Sequence, residues 1–188
     1  YFPRSYGYAK FLLQMELVYQ DGSRETIASD DKFSMAESPL HYCCIYGGEE
    51  YYAEDEQDGF DTGAFTENDK WMPARVVEPP KGRLCAQKNL PLKVMETLEP
   101  VSVKEVRPGV YLYDFGKNFS GWVRIRVRTG GRSAGDRIKM KPGEILKEDG
   151  TPNQKATGKN YSWDYYMNDK EVQEYASKFT YTGFRYVQ

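Results

Sequence analysis

The sequence predicts an all-β protein built as two β-sandwich, jelly-roll-like units. Three observations carry this. Turn signals, among them Asp21-Gly22, Gly47-Gly48, Pro108-Gly109 and Asp149-Gly150, recur about every eight to twelve residues, as they do between short sandwich strands. No segment keeps a helical hydrophobic period. From Phe119 to Arg128, Phe119, Gly121, Val123, Ile125 and Val127 alternate with Ser120, Trp122, Arg124, Arg126 and Arg128, the period of two of a half-buried strand.

Each element follows from local chemistry. Ala9–Gln20 is an apolar strand whose Leu12 and Val18 lie opposite Phe11, Leu13, Met15, Leu17 and Tyr19, implying burial on both sides. Asp21-Gly22 is a hairpin turn, and Arg24–Ala28 is the returning strand. Short strands follow at Lys32–Met35 and Leu40–Tyr46, then the carboxylate-rich stretch Glu49–Asp61. A strand at Trp71–Val77 ends in Glu78-Pro79-Pro80-Lys81-Gly82, the clearest linker composition, which divides the chain into units 1–80 and 81–188.

In the second unit Arg83–Gln87, Leu92–Leu98 and Val101–Arg107 read as strands. Tyr111–Arg128 reads as strand, tight Asp114–Asn118 corner, then the long alternating strand. Gly116 and Asn118 tolerate the positive φ such a corner needs, while Asp114 and Asn118 are expected to fix its backbone through side-chain hydrogen bonds. Arg137–Leu146 is a strand bent at Pro142-Gly143. Tyr161–Met167 and Val172–Tyr186 supply the last, aromatic strands.

Composition excludes several classes. Lys and Arg number 26 against 28 Asp and Glu, a net charge of −2, so no basic field draws nucleic acid or an anionic membrane. No stretch approaches the roughly 20 apolar residues of a membrane-spanning helix. Cys43, Cys44 and Cys85 are odd in number and form no Cys-x-x-Cys pattern, arguing against a disulfide framework or a zinc site. One of the adjacent pair is expected in the core. The opening Tyr1-Phe2-Pro3-Arg4 lacks an initiator Met and a secretory pattern, so the chain reads as an excised piece or a mature form.

Candidate chemistry is sparse. Carboxylates in Glu49–Asp61 could flank a scissile glycosidic bond or ligate calcium, although charge runs usually face water and the spacing is not that of an EF-hand loop. His41 has no positioned nucleophile and is expected to be structural. Tyr51, Trp71, Trp122 and Trp163 could stack against sugar rings, or simply pack as strand aromatics. Glu144 is expected to pair with an arginine of Trp122–Arg128. No phosphate loop, dinucleotide fingerprint or catalytic triad is present.

Three motifs in order, Asp114-Phe115-Gly116-Lys117-Asn118-Phe119-Ser120-Gly121-Trp122-Val123-Arg124, Gly143-Glu144-Ile145-Leu146 and Phe179–Val187, resemble the bacterial α-L-rhamnosidases, inverting glycoside hydrolases. Asp21-Gly22, Ser29-Asp30, Gly48-Glu49-x-Tyr51 and Trp71-x-x-Ala74 resemble the same family's amino-terminal β-domain. Lys117 replaces a usual Gln, Tyr52 and Glu54 replace an Asp and an Arg, and Thr182 replaces a His.

The resemblance implies a fragment with its first sandwich incomplete and no catalytic residues of its own, since the family's acid and base lie in a following (α/α)6 barrel. That barrel would be its partner within one polypeptide. The resemblance also implies a possible rhamnose-containing ligand, possible calcium on an accessory sandwich, and a bacterial periplasmic or extracellular parent.

Overall fold

Asp21-Gly22 closes the first hairpin as its chemistry dictates: Gly22 takes a φ of 85°, and the Asp21 carboxylate accepts the Ser23 N–H. The structure, a computed structural model, describes residues 10–79, 81–83, 85–131, 134–157 and 160–188. Tyr1–Arg4, Pro80 of the expected linker and Leu84 lie outside the described residues.

The described strands of the first half are β1 (Gln14–Val18), β2 (Arg24–Ala28), β3 (Ser34–Met35), β4 (Leu40–Cys44), β5 (Gly48–Tyr52) and β6 (Met72–Pro73). Those of the second half are β7 (Ser102–Arg107), β8 (Val110–Gly121), β9 (Arg124–Arg128), β10 (Arg137–Met140), β11 (Pro142–Gly143), β12 (Ile145–Leu146), β13 (Pro152–Asn153), β14 (Ser162–Tyr166), β15 (Val172–Ala176) and β16 (Thr182–Val187). A single 3-10 turn at Ala53–Asp55 is the only helical element among the described residues. The fold is all-β.

Two compact units form. One joins the residues up to Glu37 with Asp61–Asn89; the other joins Ser38–Phe60 with Leu90–Gln188. Contacts therefore do not divide at 80/81 as the linker composition suggests. β4 and β5 belong with the second unit because β5 pairs parallel with β14, from Gly48 opposite Ser162 to Tyr52 opposite Tyr166. A parallel pair needs a long crossover and leaves no local turn signal to read.

The first unit holds the β1–β2 hairpin and a short β3–β6 ladder. Burial on both sides of β1 is not found: Leu12 and Val18 are 57% and 63% exposed. A two-stranded ladder supplies one neighbour and no covering layer. The expected Trp71–Val77 strand shortens to β6, since beyond Pro73 only the Ala74 N–H is tied back, to the Phe33 carbonyl, among the described residues.

The second unit is a sandwich. One sheet has the order β10-β14-β5-β4, the other β11-β16-β8-β7. Alternation along β14 sends Trp163 and Tyr165 inward, where Trp163 meets Phe184 of β16 edge-on at 5.8 Å. Phe115 and Phe119 of the neighbouring strand β8 close on Phe184 within the same sheet. The β9–β15 ribbon adds Ile125, Val127 and Tyr175. Burying each such ring contributes about 1.5–3 kcal/mol, which makes this the stable part of the chain.

Leu92–Leu98 is not a strand; Met95 is 89% exposed, and without a ladder its backbone groups stay with solvent. The described residues of Arg83–Gln87 are likewise irregular. Neither Cys43 nor Cys44 is fully buried, so the expected core cysteine is absent from this pair; all three cysteines are free. The Asp114–Asn118 corner does not interrupt its strand. β8 runs unbroken from Val110 to Gly121, with a bulge in the pairing between Phe184 and Tyr186, and the break falls at Trp122-Val123. Gly116 takes the positive φ (77°); Asn118 does not. One glycine in that region lets a strand bend without leaving its ladder.

Candidate functional site

The bulge in β8 turns Asp114 toward β16. Its Oδ1 accepts the Gly116 N–H at 2.7 Å, which sets the bulge geometry, and both carboxylate oxygens take the Arg185 guanidinium, Nε and Nη2 each at 2.8 Å. The Arg185 hydrogen bonds, aided by the Gly116 N–H, hold the Asp114 carboxyl below its usual range. Four residues on from Asp114, Asn118 Nδ2 donates to Glu144 Oε1 at 2.9 Å. Asn118 thus ties β8 to the loop after β11 rather than fixing its own backbone. Glu144 pairs with this amide, not with the expected arginine. Gly183 lies against the same carboxylate; a Cβ there would stand 3.2 Å from Glu144 Oε1.

A second carboxylate is buried outright. Glu49 of β5 is fully buried beneath the turn between β15 and β16. Its oxygens accept the N–H groups of Lys178 (2.9 Å), Phe179 (2.6 Å) and Thr180 (2.8 Å) and the Tyr175 hydroxyl (3.0 Å). The Ser177 hydroxyl, 3.0 Å from Oε1, divides its hydrogen between Glu49 and the Thr180 carbonyl. Successive N–H groups of a turn make a cradle for an anion, and here a side chain of the same unit fills it. Burial pushes the Glu49 pKa up, but the Lys178 and Phe179 N–H groups with the Ser177 and Tyr175 hydroxyls outweigh it and hold the group below its ordinary range. Burial, then the Glu49 charge, drives the Tyr175 phenol upward.

Sequence reasoning treated Glu49–Asp61 as one solvated charge run, and Glu49 is the residue it missed. The signal was available: Glu49 and Tyr51 share a face of a strand, and Tyr51 is a buried aromatic. The rest of the run disperses. His41 Nε2 lies 2.8 Å from Asp55 Oδ2 and its ring stacks on Tyr52; Glu56 accepts the Tyr51 hydroxyl; Lys170 Nζ lies 3.1 Å from Asp58 and 3.7 Å from Glu56. Among the described residues no three His, Cys, Asp or Glu side chains gather to hold a metal ion.

The three aromatic candidates of the second unit form no exposed platform. Trp163 is wholly buried, its Nε1 donating to Thr180 Oγ1 at 3.0 Å, and Tyr51 is buried between Tyr165 and Tyr175. A ring without an exposed face has none to offer a sugar. Trp122 packs partly buried against the core, and Trp71 lies in the other unit beside Phe65.

Asp114, Gly116, Asn118, Glu144, Glu49, Phe179, Thr180 and Arg185 come from four sequence motifs, Asp114–Asn118, Gly143-Glu144, Gly48-Glu49-x-Tyr51 and Phe179–Val187, while Tyr175, Ser177 and Lys178 lie just before the last. Two family models match the chain in tandem, the α-L-rhamnosidase N-terminal domain over residues 3–96 and the bacterial α-L-rhamnosidase concanavalin-like domain over residues 104–188. The chain belongs to the bacterial α-L-rhamnosidase family. An α-L-rhamnosidase of Streptomyces avermitilis is 31% identical over 99% of this chain and 18% of its own length. The structure of the Dictyoglumus thermophilum α-L-rhamnosidase superposes with a TM-score of 0.83 at 34% identity, covering 94% of this chain and 20% of that one. The Streptomyces avermitilis enzyme complexed with L-rhamnose superposes at 0.81 and 29% identity, over 94% and 17%.

The chain therefore spans about a fifth of the rhamnosidases it matches, and what it matches are their N-terminal and concanavalin-like domains. Within this rhamnosidase segment, Glu49 and Asp114 are carboxylates fixed in the charged form by donors. Such groups hold turns; neither is tuned to exchange a proton near neutral pH, as a glycosidase acid must.

Proposed function

We propose that the chain is the accessory β-module of an inverting α-L-rhamnosidase. It scaffolds the glycosidase barrel of the same polypeptide and performs no hydrolysis itself. The single observation that carries this reading is mutual engagement of the family motifs. Asp114 meets Arg185, Asn118 meets Glu144, and Glu49 holds the turn that begins Phe179–Val187. Motif residues that satisfy one another serve shape; motif residues of a reaction centre would converge on a cleft. The parent's substrates on this reading are terminal rhamnosides of glycans or glycosides.

An aryl α-L-rhamnoside assay tests it. The purified chain is expected to release no aryl alcohol, whereas a full-length relative does. Turnover that survives repurification and is absent from a mock preparation would overturn the reading.

A further inference from the structure

The inner face of the β11-β16-β8-β7 sheet is covered at one side and bare at the other. Register puts Val187 of β16 directly opposite Tyr113 of β8, Tyr113 opposite Val103 of β7, and Tyr111 opposite Glu105. Directly opposed residues share a face of a sheet, as do residues two apart along one strand. Val187 belongs to the core and is 3% exposed. The same face therefore runs out of the core onto Tyr113, Tyr111 and Val103, which are 38%, 45% and 51% exposed. Glu105, the charged member of these rows, is engaged locally: its Oε1 accepts the Gly109 N–H at 2.9 Å.

Two tyrosines and a valine continuous with a core suit a protein partner, since interface cores are rich in tyrosine and poor in charge. Two occupants compete. A second copy pairing along β7, the edge strand of this sheet, would form an antiparallel ladder about a two-fold axis. Opposed residues share a face, so that symmetry sets one residue of β7 against its own copy. At the middle of the strand this residue is Lys104 or Glu105, and like charges directly opposite repel.

The course of the chain favours the other occupant. β16 runs antiparallel to β8, so residues after Val187 advance from the level of Tyr113 towards that of Tyr111. Gln188 is pinned there by two backbone hydrogen bonds with Lys141, at 2.8 and 3.0 Å. Polypeptide continuing from Gln188 would start one strand spacing, roughly 4.8 Å, from β8. So short a tether holds an attached segment at an effective concentration of about millimolar or above, far beyond that of a separate copy. We propose that the uncovered face centred on Val103, Tyr111 and Tyr113 is the seat on which polypeptide continuing from Gln188 packs an apolar surface. Such packing rests on the scaffold reading and gives it a definite surface.

Hydroxyl-radical footprinting read by mass spectrometry tests the seat, with this chain and the full-length parent polypeptide compared over a range of concentrations. Tyr111 and Tyr113 should be oxidised at least about threefold more slowly in the full-length polypeptide at every concentration, because rings entering an interface core lose solvent contact. Val103→Lys combined with Tyr111→Lys places charge on the face and should return the Tyr113 rate in the full-length polypeptide to that of the chain alone. Circular dichroism should show the same double variant of the chain alone folded as before. Should the double variant not fold, the comparison of the two unsubstituted proteins decides. Equal rates at Tyr111 and Tyr113 in the two proteins overturn the proposal. So does protection that appears in the chain alone as its concentration rises, which would seat a second copy on the face. Aryl-rhamnoside turnover by the chain alone removes the scaffold reading itself, whereas equal rates without such turnover remove only this seat.

Discussion

Asp114 and Arg185, 71 positions apart, meet in a two-pronged ion pair whose two N–O distances are both 2.8 Å. The pair joins the bulge of β8 to the bulged register of β16. Its geometry requires a planar fork, so Arg185→Lys should lose most of the interaction despite keeping the charge. A double-mutant cycle of Asp114→Asn with Arg185→Lys, read by urea unfolding, should show the two changes to be coupled rather than additive. Additivity within error would mean the pair contributes nothing to stability. Because both side chains are partly exposed, the effect should be smaller than that of altering Glu49.

Gly48 makes a sharper demand on the backbone. It sits at the start of the parallel β5–β14 pairing with a φ of 93°, and a Cβ there would overlap the Ser162 carbonyl oxygen. Backbone cannot move aside as a flexible side chain can. Gly48→Ala is expected to leave the chain insoluble or without a cooperative unfolding transition. A soluble variant within about 1 kcal/mol of the parent, the ordinary cost of a helical Gly/Ala difference, would contradict the geometry.

Much of this was legible in advance, and the misses share a cause. Alternation at Phe119–Arg128 and the Asp21-Gly22 turn gave the all-β class, because side-chain period and turn chemistry are local. The role of Asp114 in its bulge was legible for the same reason: its acceptor reaches a backbone N–H two residues away. Long-range pairing was not. Nothing near Gly48–Tyr52 announces a parallel partner in Ser162–Tyr166, so the division of units and the burial of Glu49 were both misread. Tyr51 and Trp163 looked like sugar platforms because composition cannot distinguish an aromatic that faces water from one that faces the opposite sheet.

Glu49 should be the least replaceable carboxylate in the chain. Glu49→Gln keeps the shape but turns an N–H₂ group toward N–H donors, and it leaves at least one of the Lys178, Phe179 and Thr180 amides without an acceptor. Breaking a buried charged network of this kind costs about 3–5 kcal/mol. Urea unfolding at neutral pH should show that loss through a lower midpoint. Hydrogen exchange should show the amides of residues 178–180 losing protection first. A loss below about 1 kcal/mol would show that the turn holds without its anion.

Stability should fall at both ends of the pH range, for opposite reasons. At the acid end Glu49 and Asp114 titrate lower in the folded chain than their ordinary values of 4.5 and 3.8. As pH drops, the unfolded chain takes up protons first, so the stability these groups contribute is complete above about 4.5 and is lost as pH falls through their folded values. At the alkaline end burial pushes Tyr165 from 10.0 up to about 12. The unfolded chain then releases its proton first, and that contribution, complete below about 10, is lost as pH rises through about 12. Urea midpoints measured across pH should therefore form a plateau with two shoulders. Glu49→Gln should flatten the acid shoulder, leaving Asp114 to supply what remains, and should leave the alkaline shoulder of Tyr165 in place. An acid shoulder unchanged in Glu49→Gln would show that the Glu49 carboxylate is not held below its ordinary range by the turn at Ser177–Thr180.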